Sequence, residues 1–131
     1  MIHDYELRVY YQDTDAGGIV YHANYLAFAE RARTEALRAM GTPHAEMIAS
    51  YGVMFVVHRA SLHYQRPARL DEVIHVKTEF TQVGSATVTL VQHFWRDTDS
   101  LAVLEVGLAC VRVADGRAAR IPADLARRLR S

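Results

Sequence analysis

Two carboxylates, two glycines and a histidine crowd the stretch DTDAGGIVYHANY, residues 13–25. Asp13, Asp15, Gly17, Gly18 and His22 stand directly ahead of a segment with helical periodicity, so their chemistry is that of a helix entrance. The first amides of a helix lack intrahelical acceptors and carry the positive end of its dipole, which lets them hold an oxyanion. Gly17 and Gly18 have no Cβ and allow a ligand, or the chain itself, to come close. Asp15 stands several residues before the helix, where its carboxylate can face an electrophile held by those amides. A carboxylate beside an oxyanion site is the minimum equipment for acyl transfer. A plain turn is the competing reading, since Asp side chains bond nearby amides and Gly accepts positive φ.

Other chemistries fit the residues less well. Asp13, Asp15 and Gly18 occupy the first, third and sixth places of a calcium-binding EF-hand loop, but Asn24 stands where the bidentate glutamate is needed and no helix leads in. His22 has no second histidine at helical spacing for a transition metal. Neither a metal nor a cofactor is required by the pattern. There is no G-x-S-x-G elbow, and the single cysteine, Cys110, lies in the apolar run GLACVRV, where it reads as a packed core residue. The carboxylate remains the best chemical group, able to attack a carbonyl and form an anhydride or to activate a water. Esters and amides release poor leaving groups and usually need a general acid, whereas a thioester releases a thiol of pKa about 8.5. An acyl thioester is therefore the substrate that this equipment suits.

Elements to position these residues follow from periodicity. ELRVYYQ, residues 6–12, reads as a strand. NYLAFAERARTEALRAM, residues 24–40, reads as a helix with Leu26, Ala29, Ala36, Leu37 and Met40 at helical spacing, stopped by Gly41, Thr42 and Pro43. Ala29, Ala32 and Ala36 let it lie close against a sheet. Four further strands are predicted at residues 53–65, 73–83, 86–96 and 101–113, with His58, His63, His75 and His93 inside strand patterns. Their short connections favour antiparallel neighbours. A short helix follows Pro122, with Leu125 and Leu129 turned inward and Arg127, Arg128 and Arg130 solvated. The sum is an α+β domain spanning residues 1–131, one curved antiparallel sheet of about five strands around one long helix.

Composition narrows the class. A net charge of +0 argues against nucleic acid as a ligand. No apolar run approaches the roughly 18 residues of a membrane span, so an integral membrane protein is not expected. The start lacks a signal pattern and the lone cysteine fits a reducing compartment, which together point to the cytoplasm.

The run D-x-D-x-x-G-x-V-x-x-x-x-Y, within residues 10–41, together with FVVHRASLHYQRPARLDE, residues 55–72, resembles the acyl-CoA thioesterases of the 4-hydroxybenzoyl-CoA thioesterase family. The likeness extends in particular to the bacterial branch associated with the Tol-Pal envelope system. It implies the hotdog fold and hydrolysis of acyl-CoA or acyl-carrier-protein thioesters. It also implies homodimers, often paired into homotetramers, with active sites at the subunit interface. By matching positions, it assigns the catalytic carboxylate to Asp15 and the amide that polarises the thioester carbonyl to His22. The His22 imidazole can in addition orient substrate or water. Gly17, Gly18, Tyr25 and Arg59 are expected on the substrate side, and Asp13 in a structural turn. The pattern departs from the family at Val83, where relatives often carry a basic residue before a Gly-Ser turn; no phosphate grip is implied there. Two other functions share these features: an acyl-thioester-binding module without turnover, and an enoyl-thioester hydratase using an Asp and His pair.

Overall fold

Alternating apolar and polar residues set up five strands: β1 (Ile2–Arg8), β2 (Val53–Tyr64), β3 (Val73–Val83), β4 (Thr87–Arg96) and β5 (Asp99–Arg112). In the computed structural model, which describes residues 2–131, they form one antiparallel sheet in the order β1-β3-β4-β5-β2. Cross-strand rows build the core: Val76 pairs with Phe94 and Phe94 with Ala102, while Leu90 stands between Phe80 and Val106. The register shifts between Val57 and Arg59, between Phe80 and Gln82, and between Phe94 and Trp95. An extra residue at each place bends its strand, and together they curve the sheet.

Helix α1 (Asn24–Ala39) packs on one face of the sheet and buries Tyr25, Phe28, Ala29, Ala32, Ala36 and Leu37. The alanines bring its backbone close enough for Gln92 of β4 to donate from Nε2 to the Ala29 carbonyl at 2.9 Å. Leu26, expected on the apolar face, is 45% exposed. The inner stripe starts one residue earlier because the Tyr25 ring fits edge-on against Phe94 and Tyr64, with centroids 5.3 and 5.2 Å away. The helix ends as its sequence predicts: Gly41 adopts φ 79°, and the Gly41 and Thr42 amides donate back to the carbonyls of Arg38 and Leu37.

Three differences from the sequence reading bear on the site. The first strand lies earlier than residues 6–12, at Ile2–Arg8, because its pairing to β3 ends at Arg8 opposite Val73; Tyr11–Asp13 instead form a 3-10 turn. A second helix, α2 (His44–Tyr51), follows Pro43 where none was expected, and it buries only Met47. Helix α3 (Ala123–Arg130) begins after Pro122, buries Leu125 and Leu129 and leaves Arg127, Arg128 and Arg130 exposed as expected, and these arginines also make contacts that the sequence did not foretell. Arg128 donates to Thr42 Oγ1 at 2.8 Å and to the Gly41 carbonyl at 3.3 Å, Arg130 to the Val83 carbonyl at 3.3 Å, and Arg127 pairs with Asp124 at 3.1 Å. No helix among the described residues is long and apolar enough to cross a membrane.

Candidate active site

The segment ahead of α1 is a tight reversal. Thr14 bridges Val20, the Asp15 amide donates to the Ile19 carbonyl at 2.9 Å, and the Gly18 amide to the Asp15 carbonyl at 3.1 Å. Gly18 sits at φ 76°, a conformation that glycine adopts without steric cost. The reversal is pinned to residues 68–70: Val20 donates to the Ala68 carbonyl at 2.8 Å, Leu70 donates to the Gly18 carbonyl at 3.2 Å, and Ile19 bridges Arg69. The segment RPARLDE, which reads in sequence as a mere connection, is thus the bed on which the loop rests.

Asp13 ties the loop to the helix entrance. Its carbonyl accepts from the Tyr21 amide at 3.0 Å and from Asn24 Nδ2 at 2.8 Å. Its carboxylate accepts from the Tyr10 amide at 2.8 Å. This is the structural turn role expected of it. Asp15, two residues on, is exposed; its Oδ1 accepts from the Gly17 amide at 2.9 Å, and its Oδ2 has no hydrogen-bond partner among the described residues. A Cβ on Gly17 would stand 3.3 Å from that same Oδ1, so glycine leaves the carboxylate its place.

At the helix entrance the amides of Asn24, Tyr25 and Leu26 bond back to the carbonyls of Tyr21, His22 and Ala23. The amides of His22 and Ala23 meet no backbone acceptor among the described residues. No side chain caps the helix and its first turn holds no acidic residue, so the positive end of the dipole is uncompensated there. The sequence reading looked for open donors among the first amides of the helix; the structure places them just ahead of it, at His22 and Ala23, because a turn of i to i−3 bonds satisfies the next three.

Tyr64, at the end of β2, was not singled out by sequence. Its hydroxyl donates to the His22 carbonyl at 2.8 Å, and its ring stands edge-on to the exposed His22 imidazole at 6.5 Å. Partial burial pushes the Tyr64 phenol upward from its ordinary value. Tyr25 is buried; its hydroxyl accepts from the Ala68 amide at 3.2 Å, so its ring belongs to the core and its polar tip to the loop bed. Burial pushes its phenol up as well. Arg59 is exposed on β2 and pairs with Glu105 at 3.8 Å; among the described residues no hydrogen bond or ion pair joins it to residues 13–24. Cys110 is fully buried and burial pushes its thiol up, the opposite of an activated nucleophile. His63 meets Ser61, His75 meets Asp4, and His93 meets Ser100 and stacks on Trp95, all away from the loop.

The sequence profile of the Thioesterase-like superfamily matches residues 9–129. The acyl-CoA thioesterase YbgC of Haemophilus influenzae is 39% identical over 121 residues, which cover 92% of this chain and 89% of that protein. The acyl-CoA thioester hydrolase YbgC of Escherichia coli O157:H7 is 42% identical over 106 residues, 80% of this chain and 78% of that one. The crystal structure of a probable thioesterase from Bartonella henselae superposes with a TM-score of 0.89 at 32% identity, covering 93% of this chain and all of that one.

Proposed function

Because the chain belongs to the Thioesterase-like superfamily, with the hotdog fold, we propose that it is an acyl-CoA thioester hydrolase whose reacting centre is the Asp15 carboxylate facing the His22 amide. One observation carries the assignment. A carboxylate with one oxygen pinned by Gly17 and the other open lies in a loop bonded, through Asp13, to a helix entrance whose amides meet no backbone acceptor. The thioester oxygen takes the His22 amide, which draws charge off the carbonyl carbon. Asp15 then removes a proton from water as the new C–O bond forms, or attacks directly to give an anhydride that water opens. In either course the C–S bond breaks, the electron pair leaves on sulfur as the thiolate of coenzyme A, and a free carboxylic acid remains. No general acid is needed for such a leaving group.

The proposal extends to assembly. β1 and β2 are open sheet edges, and Val57 on β2 and Leu26 on α1 are 50% and 45% exposed, so a second copy completes the site in a homodimer or homotetramer. Gly17, Gly18 and Arg59 remain the positions proposed to meet substrate; Tyr25, expected beside them, is instead buried in the core and bonds the Ala68 amide. The reading is tested with Asp15→Asn, which keeps an oxygen for the Gly17 amide and so preserves the loop. Thiol release from acyl-CoA should fall by roughly a hundredfold or more, with unfolding unchanged. A variant that keeps most of its turnover removes Asp15 from the chemistry. Sedimentation should show no active monomer.

A further inference from the structure

Arg33 is a cation set into an apolar groove. It projects from α1 between two adjoining cavities of about 300 and 340 Å³, both bounded by Glu30, Arg33 and Val57. Phe55, Phe80 and Leu108 line one and Leu26, Leu104 and Val106 the other. Its Nη1 donates to Gln92 Oε1 at 2.9 Å. Gln92 is fully buried, and both its Nε2 bonds go inward, to the Ala29 carbonyl and to Thr78 Oγ1 at 3.0 Å. The amide oxygen is therefore fixed toward Arg33 as a neutral partner. Among the described residues no carboxylate lies within ion-pair distance of Arg33; Glu30, one turn back, borders both cavities and attracts the guanidinium from further off, but it is exposed. Burial lowers the pKa of the guanidinium, against the opposing attraction of Glu30, and also lowers that of His44 beside it, so His44 is neutral and offers the guanidinium no counter-charge. A guanidinium has five donors, and a fork left open beside an apolar wall favours a carboxylate above other ligands.

One end of the groove, at Leu26, lies toward the start of α1. Leu26 lies one turn beyond His22, and Arg33 lies about 16 Å along the helix axis from His22 at 1.5 Å per residue. Helical side chains lean back toward the N-terminus, which shortens that gap. Resting on the thioester-hydrolase reading, we propose that this groove holds the acyl chain and that Arg33 selects acyl groups ending in a second carboxylate, the half-thioesters of medium-chain dicarboxylic acids. A plain alkyl end would leave the guanidinium with its neutral Gln92 bond and the distant Glu30 alone; a carboxylate end gives it a direct charged partner.

The test compares kcat/KM for sebacyl-CoA with decanoyl-CoA, and for dodecanedioyl-CoA with lauroyl-CoA, each referred to acetyl-CoA in the same variant. The intact protein should favour the dicarboxylic member of each pair by about tenfold, the scale of a charge-assisted hydrogen bond. Arg33→Met should abolish or reverse that preference, and Arg33→Lys, which keeps the charge without the fork, should retain part of it. The Lys variant decides the matter if loss of the Gln92 partner unfolds the Met variant. Free sebacate should raise the Tm of the intact protein more than decanoate does, a difference that Arg33→Lys diminishes. Equal ratios in the intact protein and the variants, or equal shifts with both free acids, overturn the proposal. If no thioester is cleaved while sebacate still stabilises through Arg33, the hydrolase reading fails and the groove assignment stands.

Discussion

Tyr64→Phe removes one oxygen atom and with it the bond from the Tyr64 hydroxyl to the His22 carbonyl at 2.8 Å. The ring remains, with its contacts to Tyr25 and His22. The peptide whose carbonyl is held in this way carries the Ala23 amide, and the adjoining peptide carries the His22 amide, the two donors without backbone acceptors ahead of α1. A neutral hydrogen bond is worth about 0.5–1.5 kcal/mol net. Tyr64 is 49% exposed, so water can take its place at the carbonyl, and the loss in stability should sit near the lower end of that range. In the proposed reaction the His22 amide faces the negative charge that develops on the thioester oxygen, so its orientation counts for more there. A loss of about 0.7–1.4 kcal/mol there corresponds to a fall of about threefold to tenfold in kcat. Steady-state thiol release across a range of acyl-CoA concentrations separates the outcomes. The expected result is a lower kcat with KM within about twofold and Tm nearly unchanged. An unaltered kcat would mean that the entrance is held by the Asp13 bonds alone. A change confined to KM would make Tyr64 a substrate contact.

Other outcomes follow from single features of the fold. Cys110→Ala should leave thiol release intact, and the native protein should react with a thiol reagent far more slowly than the unfolded chain, because burial both covers the sulfur and raises its pKa. Gly18→Ala meets no atom within 4 Å yet forces alanine to φ 76°, so it should cost about 1 kcal/mol, read as a drop of a few degrees in Tm. His44 and His93 both have pKa values lowered by burial, reinforced by Arg33 and by Lys77 respectively. The unfolded chain therefore binds more protons, and stability should decline as pH falls below about 6.5. Urea midpoints across that range should show the decline, and His44→Gln should flatten it.

Much of the fold was legible because it rests on periodicity. β3 occupies the residues predicted, 73–83, and α1 ends at the Gly41 stop. What failed were elements that depend on partners. Ile2–Tyr5 carries His3 and Asp4, poor strand formers, and becomes a strand only because β3 offers an edge with Ile2 opposite Glu79 and Tyr5 opposite Val76. Helix α2 spans only eight residues and buries one side chain, too little for an amphipathic pattern to register. Tyr25 took the inner place expected for Leu26, since the choice of inner residue lay with the aromatic neighbours Phe94 and Tyr64, far away in sequence.

The site divides in the same way. The types and order of Asp13, Asp15, Gly17, Gly18 and His22 are local, and so was the reasoning from them to a carboxylate and an oxyanion donor. The groups that hold them are not local. Ala68 and Leu70 bed the loop, and Tyr64 fixes the His22 carbonyl across forty-two positions of sequence. The C-terminal arginines teach the same point through charge. Read along the chain, Val83 leaves the turn between β3 and β4 without a basic residue, and Arg130 belongs to a solvated tail. In space the Arg130 guanidinium donates to the Val83 carbonyl, while Arg128 closes the end of α1. A cation missing at one position of a sequence is therefore not missing from that place in the fold: α3 returns the chain to the sheet and supplies one from forty-seven residues away.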